Sequence, residues 1–366
     1  MKRIIFAAAG SAGHLEPALA VARWVREHHP EFTCEFVISE QGVENQLLAA
    51  ESFTVHRITK AALPRKLNID AILWPARFIA ATMKVRRAVN GASVAIGFGG
   101  YICAPTYLMA RMRKVPLVVH EANVLPGWAN RLGMKLGAKG LIAFDDTRVM
   151  DTRFEGATTV GMPLRDSIYR AAELSPSART TLRRNWLIAH GLNSEKSTML
   201  VFGGSLGSQA INSVLVKALP DIQRAQINVI HVVGGRNALP AASEGYLPVN
   251  YLTDMADALI SADLVISRSG AVTCSELAAL GKFALLIPLE IGNGEQKYNA
   301  SVLEKAGIAM SIANSAFTEH FLSANLIRLL KRAAEVEAET PDLSAIVHPH
   351  AVEAIGHSIL SIASGR

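Results

Sequence analysis

The chain has three cysteines in 366 residues, Cys34, Cys103 and Cys274, scattered and odd in number. That usage fits a reducing compartment better than a disulfide framework, and no spacing of Cys, His, Asp or Glu marks a metal site. Long apolar runs are also lacking; none reaches the roughly 20 uninterrupted residues needed to span a bilayer. Lys2-Arg3 before the apolar run Ile4 to Ala9 imitates a secretory leader. The run is too short for a leader's core, and it continues into a loop and a helix start. It reads as the first strand of a buried parallel sheet, in a protein that is soluble or peripherally attached. Nothing is low-complexity. Acids are scarce in one stretch: between Glu51 and Glu121 only Asp70 is acidic. The bases there are Arg57, Lys60, Arg65, Lys66, Arg77, Lys84, Arg86, Arg87, Arg111, Arg113 and Lys114, with Leu73, Trp74, Phe78 and Ile79 among them. The plain reading is a solvated helical face. The sharper one is a basic, aromatic patch that docks on anionic lipid, at roughly 1 kcal/mol per base. No nucleic-acid motif accompanies the charge.

What is present is an apolar, globular composition, 50% hydrophobic and 19% charged, with a net charge of +6 that favours an anionic partner. The length suits two α/β domains. Short apolar strands alternate with amphipathic helices, the pattern of parallel sheets. In the first half strands are expected at Arg3–Ala8, Cys34–Ile38, Val94–Gly97, Leu117–His120 and Gly140–Ala143. Helices are expected at Glu16–His28, Ile69–Asn90, Ala104–Lys114 and Gly127–Gly137. The chain breaks near Met162-Pro163, since a pre-proline residue resists helix. The second half restarts with strands at Met199–Phe202, Asn228–Val233, Val249–Leu252, Leu264–Ser267 and Ala284–Pro288. Its helices are expected at Ser208–Ala218, Met255–Ala262, Val272–Leu280 and Lys297–Ala306, with a terminal helix within His348–Ser364. Ser175–Ser197 is polar and loosely helical. Residues 1–163 and 164–344 form the two domains, and a helix at about 345–366 returns to the first.

Two glycine-rich turns each follow a strand and open a helix: Gly10-Ser11-Ala12-Gly13-His14, and Gly203-Gly204-Ser205-Leu206-Gly207-Ser208. Small residues let the backbone approach a ligand, and the helix start offers unpaired N–H groups to an anion. One such turn is weak evidence; a pair, one per half, suggests two nucleotide-fold domains facing each other across a cleft. A third turn, Gly97-Phe98-Gly99-Gly100-Tyr101, and the cluster His120-Glu121-Ala122-Asn123 also follow strands. Parallel sheets bind ligands beyond the carboxyl ends of their strands, where all of these fall. A capping or turn-making role is the alternative for any one of them. His14 lies where a helix start disfavours the imidazolium, leaving a neutral ring able to accept a proton. Glu121 either orients it or is structural. The densest block runs from Ser267-Arg268-Ser269-Gly270 to Ser275-Glu276, where Glu276 either complements a helix dipole or grips ribose hydroxyls. Gly294-Glu295-Gln296 offers groups suited to a sugar.

In order and spacing these motifs resemble the MurG family of bacterial cell-wall glycosyltransferases, over most of the chain to about Gly307. The resemblance implies a GT-B type α/β fold of two Rossmann-like domains. It also implies an inverting, cofactor-free transfer of N-acetylglucosamine from UDP-N-acetylglucosamine to the C4 hydroxyl of lipid I. By the same resemblance His14 is the base. The donor lies against Ser11, Ala12, Gly13, Asn123, Arg165, Ser205, Leu252, Gln296 and the run Ala271, Val272, Thr273, Cys274, Ser275, Glu276. The acceptor lies against Gly10, Gly13, Gly99, Gly100, Tyr101 and Glu121. Docking on the cytoplasmic face of the membrane would use Arg65, Lys66, Trp74, Arg77, Phe78, Lys84, Arg86 and Arg87. The sequence departs from the family pattern at Ala9 and Ala12, at Met162, and at Lys282-Phe283. Two other readings stay open: a UDP-sugar transferase acting on a lipid such as diacylglycerol, and a dinucleotide-dependent oxidoreductase. The second needs an acid after the second strand, and Glu40 is the candidate.

Overall fold

The structure is a computed structural model that describes residues 2–8, 12–40, 44–49, 51–59, 69–204, 206–290 and 292–365, with side chains 12, 44, 46, 47 and 69–71 left aside. The chain divides into two compact units, Met1–Arg165 with His348–Arg366, and Asp166–Val347.

The first unit holds strands β1 (Lys2–Ala7), β2 (Phe32–Ser39), β3 (Thr54–Ile58), β4 (Val94–Gly97), β5 (Leu117–Glu121), β6 (Lys139–Ile142) and β7 (Thr158–Thr159). They form a seven-stranded parallel sheet in the order β3-β2-β1-β4-β5-β6-β7. Between them run α1 (Ala12–His28), α2 (Glu44–Ala49), α3 (Ile69–Val89), α4 (Cys103–Met112), α5 (Trp128–Lys135) and α6 (Asp146–Met150). In the second unit β8 (Thr198–Phe202), β9 (Asn228–Val232), β10 (Tyr246–Val249), β11 (Leu264–Ser267), β12 (Ala284–Leu286) and β13 (Ala309–Ser311) form a six-stranded parallel sheet, ordered β10-β9-β8-β11-β12-β13. Its helices are α7 (Asp166–Ala172), α8 (Pro176–Ala189), α9 (Gln209–Arg224), α10 (Met255–Ser261), α11 (Ala271–Leu280), α12 (Glu295–Lys305) and α13 (Glu319–Glu339). The last helix, α14 (Ala351–Ser364), belongs to the first unit.

Both sheets reverse strand order at their first strand, between β1 and β4 and between β8 and β11. Ligands of open α/β sheets bind in the crevice that such a reversal leaves. Apolar cores cover both faces of the first sheet. One gathers Ile5, Ala7 and Val119 with α3 and α4; the other gathers Ile4, Phe6 and Leu19 with Ile355, Ile359, Leu360 and Ala363 of α14. Each fully buried Leu or Ile in that set contributes roughly 1.5–3 kcal/mol. Gly356 makes the docking of α14 possible, because a methyl there would meet the Trp24 ring at 2.3 Å.

Several expectations are corrected. Helix α1 begins at Ala12, not Glu16, so His14 lies inside its first turn. The stretch expected to be loosely helical contains α8, capped by the Ser175 hydroxyl with Pro176 in the first turn. The strand expected at Val249–Leu252 is β10, three residues earlier, and leaves Leu252 in the following loop. Strands β3 and β13 and the 21-residue helix α13 lie outside the expected elements. Lys282 is buried, and its Nζ donates to the carbonyls of Ile260 (3.2 Å) and Ala262 (2.9 Å) at the end of α10, while burial lowers its pKa. Among the described residues no helix is long and apolar enough to cross a membrane.

Candidate functional site

In the first unit the end of β1 and the start of α1 meet the turn after β4. Phe98 N donates to Ala7 O (2.9 Å), and the Cys103 thiol donates to both Ala7 O (3.2 Å) and Gly99 O (3.0 Å). Burial raises that thiol's pKa to about 12, so it stays protonated and able to donate. Gly99 has φ +101°, and its Cα faces the His14 ring; a methyl there would lie 2.8 Å from Cδ2 and 3.0 Å from Nε2. Glycine is required at Gly99 twice over, by its φ and by the imidazole seated on it. Gly97 is similarly closed to a side chain, here by the Tyr107 ring.

Glu121 ends β5 and is buried. Its carboxylate accepts from Asn123 N (2.9 Å), Asn123 Nδ2 (3.2 Å), Gly127 N (3.0 Å) and Asn130 Nδ2 (2.9 Å). Burial raises its pKa, and these hydrogen bonds oppose the rise. Its oxygens are committed to the loop that carries Asn123, so the geometry gives Glu121 a positioning role. Asn130 is fixed in turn by the Tyr107 hydroxyl, which donates to its Oδ1 at 2.9 Å. His120 is fully buried beside Phe98; burial lowers its pKa to about 4, and its Nε2 lies 3.0 Å from Gly161 O.

In the second unit two glycines of the turn after β8 leave no room for a side chain. A methyl on Gly203 would strike Ser208, and one on Gly207 would strike Val233 O. The Ser208 hydroxyl then caps α9 by accepting from Ile211 N. Arg268, just past β11, reaches the same hydroxyl (2.9 Å). Ser269 Oγ donates to Gln296 O (2.8 Å), and Leu289 N donates to Gln296 Oε1 (3.0 Å), so the loop before α12 is tied to the start of α11. On α11, Val272 and Thr273 are half-exposed, whereas Cys274, Ser275 and Glu276 are buried, and burial pushes the Cys274 thiol upward. Ala271 opens the helix, and Leu252 is buried in the loop after β10. Arg165 and Tyr101 are half-buried; Gly10, Ser11, Ser205, Arg65 and Lys66 lie outside the described residues.

On α3, Ile72, Leu73, Ile79 and Met83 are exposed beside exposed Arg77, Arg86 and Arg87, and the half-buried Trp74 and Phe78 rings lie 5.1 Å apart. Lys84 is less available, since its Nζ pairs with Glu40 at 2.9 Å and reaches Thr59 Oγ1 at 2.7 Å. The same pair engages the one acid that a dinucleotide site would need.

Both units match known protein families. The glycosyltransferase family 28 N-terminal domain matches residues 4–140, and the family's C-terminal domain matches residues 198–351. The UDP-N-acetylglucosamine–N-acetylmuramyl-(pentapeptide) pyrophosphoryl-undecaprenol N-acetylglucosamine transferase of Corynebacterium glutamicum (strain R) is 40% identical over 87% of both chains. The chain belongs to this family of N-acetylglucosamine transferases. The Thermobifida fusca (strain YX) member is 35% identical over 100% of this chain and 95% of its own. The crystal structure of Acinetobacter baumannii MurG, 25% identical, superposes with a TM-score of 0.71 over 99% of this chain and all of that one. The fold is of the GT-B glycosyltransferase type. The roles of Tyr107, Asn130 and Cys103 carried no sequence signal, because each acts through a partner distant in the chain or through backbone.

Proposed function

We propose that this transferase moves N-acetylglucosamine from UDP-N-acetylglucosamine to the C4 hydroxyl of undecaprenyl-pyrophosphoryl N-acetylmuramyl-pentapeptide, with inversion, in peptidoglycan synthesis. The observation that carries the chemistry is the His14 ring seated on Gly99 at the carboxyl ends of β1 and β4. His14 takes the proton of the attacking hydroxyl; the hydroxyl oxygen bonds to the anomeric carbon from the face opposite the diphosphate. The bond from that carbon to the diphosphate oxygen breaks, and UDP leaves with the electron pair. General-base help of this kind is worth roughly 10²- to 10⁴-fold. The starts of α9 and α11 and the backbone N–H groups of the 203–208 turn stabilise the departing diphosphate.

Residues 164–344, which begin two residues before the second unit, bind the donor: Arg165, Ser205 and Leu252 hold the nucleotide, and Ala271 to Glu276 serve sugar, phosphate and ribose. Asn123, Gln296 and the first turn, Ser11 to Gly13, face the donor sugar. Residues 1–163 take the acceptor, whose pyrophosphate is cradled by the turns at Gly10–Gly13 and Gly99–Gly100, with Tyr101 beside it. Glu121 serves both by fixing its loop. The exposed face of α3 docks on the anionic cytoplasmic face of the cell membrane, where the lipid substrate lies.

The test is incubation of purified protein with radiolabelled UDP-N-acetylglucosamine and a short-chain lipid I analogue in EDTA. Labelled disaccharide lipid that disappears in His14→Ala is the expected result. Absence of product, with UDP still raising thermal stability, would keep the donor site and overturn the acceptor.

A further inference from the structure

Arg268 is 8% exposed, and its guanidinium bridges the carboxyl ends of four adjacent strands. It follows β11 directly. Nη2 donates to Ser208 Oγ (2.9 Å), beyond β8, and to Asn314 Oδ1 (2.8 Å), beyond β13. Nη1 donates to the carbonyls of Ile287 (2.9 Å) and Pro288 (3.4 Å), beyond β12. Every one of these acceptors is neutral. Buried charges ordinarily have a partner of opposite sign, and a guanidinium does not shed its proton. Here the acid whose charge reaches Arg268 is Glu290, an exposed residue. The positive starts of α9, capped by Ser208, and of α11, three residues after Arg268, lie on the same edge. A full charge has been placed where two helix dipoles already oppose it.

We propose that Arg268 is a positioning residue for the donor diphosphate: it fixes Ser208 at the end of the turn after β8, and the bound anion supplies the close counter-charge that none of its own acceptors provides. The inference rests on the donor reading above. It explains why a buried cation in this place is met by a hydroxyl, an amide and two carbonyls; a carboxylate there would compete with the ligand's phosphates.

Asn314→Asp tests it with little change of shape, since the same atom already accepts from Nη2. The new carboxylate neutralises Arg268 from the side. Binding of UDP and of uridine is measured by calorimetry on the full chain, with thermal melting without ligand as the control for folding. Asn314→Asp is expected to weaken UDP about tenfold, ~1.4 kcal/mol, to leave uridine unchanged, and to leave the melting temperature unchanged or higher. Arg268→Lys keeps the charge but not the bridging, and is expected to melt lower while retaining most of the preference for UDP over uridine. The proposal is overturned if Asn314→Asp leaves UDP affinity intact or weakens UDP and uridine equally. A wild-type chain that binds neither ligand would overturn the donor reading itself, a result distinct from either.

Discussion

Replacing Gly99 by alanine addresses the catalytic geometry without touching a polar group. The added methyl would sit 2.8 Å from His14 Cδ2, and an ordinary contact begins at 3.4 Å, so the ring must shift by about 0.6 Å or rotate away. The backbone adds strain, because alanine at φ +101° leaves its allowed regions at roughly 1–3 kcal/mol. A displacement near 1 Å of a reacting group costs on the order of 10²-fold, so Gly99→Ala is expected to lower kcat by about 10- to 100-fold. The KM for the donor should stay within about twofold, because the donor-binding turn of the second unit is untouched. Steady-state assays of Gly99→Ala, His14→Ala and the double variant decide the matter. If Gly99 acts through His14, the double variant is no slower than His14→Ala alone. Full kcat in Gly99→Ala, or an equal further loss in the double variant, would refute the argument that this glycine exists to seat the imidazole.

Glu121→Gln places an amide nitrogen against N–H donors, and is expected to cost roughly 1–3 kcal/mol in chemical denaturation and to raise the donor KM through the Asn123 loop. His120 and His231 are fully buried with pKa values near 4 against a usual 6.5. Between those values the unfolded chain takes up protons that the folded chain refuses. Stability is therefore unaffected above pH 7 and falls from pH 6.5 to 4, by up to about 3 kcal/mol per histidine. Urea melts across that range should show the slope, and His231→Gln should reduce it; an unchanged slope would contradict the assignment. Arg86→Gln and Arg87→Gln are each expected to weaken binding to anionic vesicles about fivefold, as read by co-sedimentation, while neutral vesicles show no difference.

What the sequence makes legible here is what local backbone rules govern. The turns after β4 and β8 are marked by glycines because short-range sterics demand them, and the alternation of strands and helices then brings the turns to the carboxyl ends of the sheets. The structure departs from those rules where tertiary context relaxes them. The helix expected from Glu16 begins at Ala12, so α1 carries Pro17 at its sixth position, where the bond it forfeits is to Gly13 O. The strand expected at Val249–Leu252 lies instead at Tyr246–Val249 and carries Pro248; β10 is at the edge of its sheet, where a missing N–H need not break a ladder. The candidate site divides in the same way. His14 and the glycine that seats it sit in motifs, whereas Tyr107 reaches Asn130 across 23 residues and Arg268 grips main-chain carbonyls that every residue possesses. Glu121 shows the consequence most plainly: its position in a motif suggested an acid near the reacting base. Four N–H donors converge on its carboxylate, and that convergence makes it the anchor of a loop.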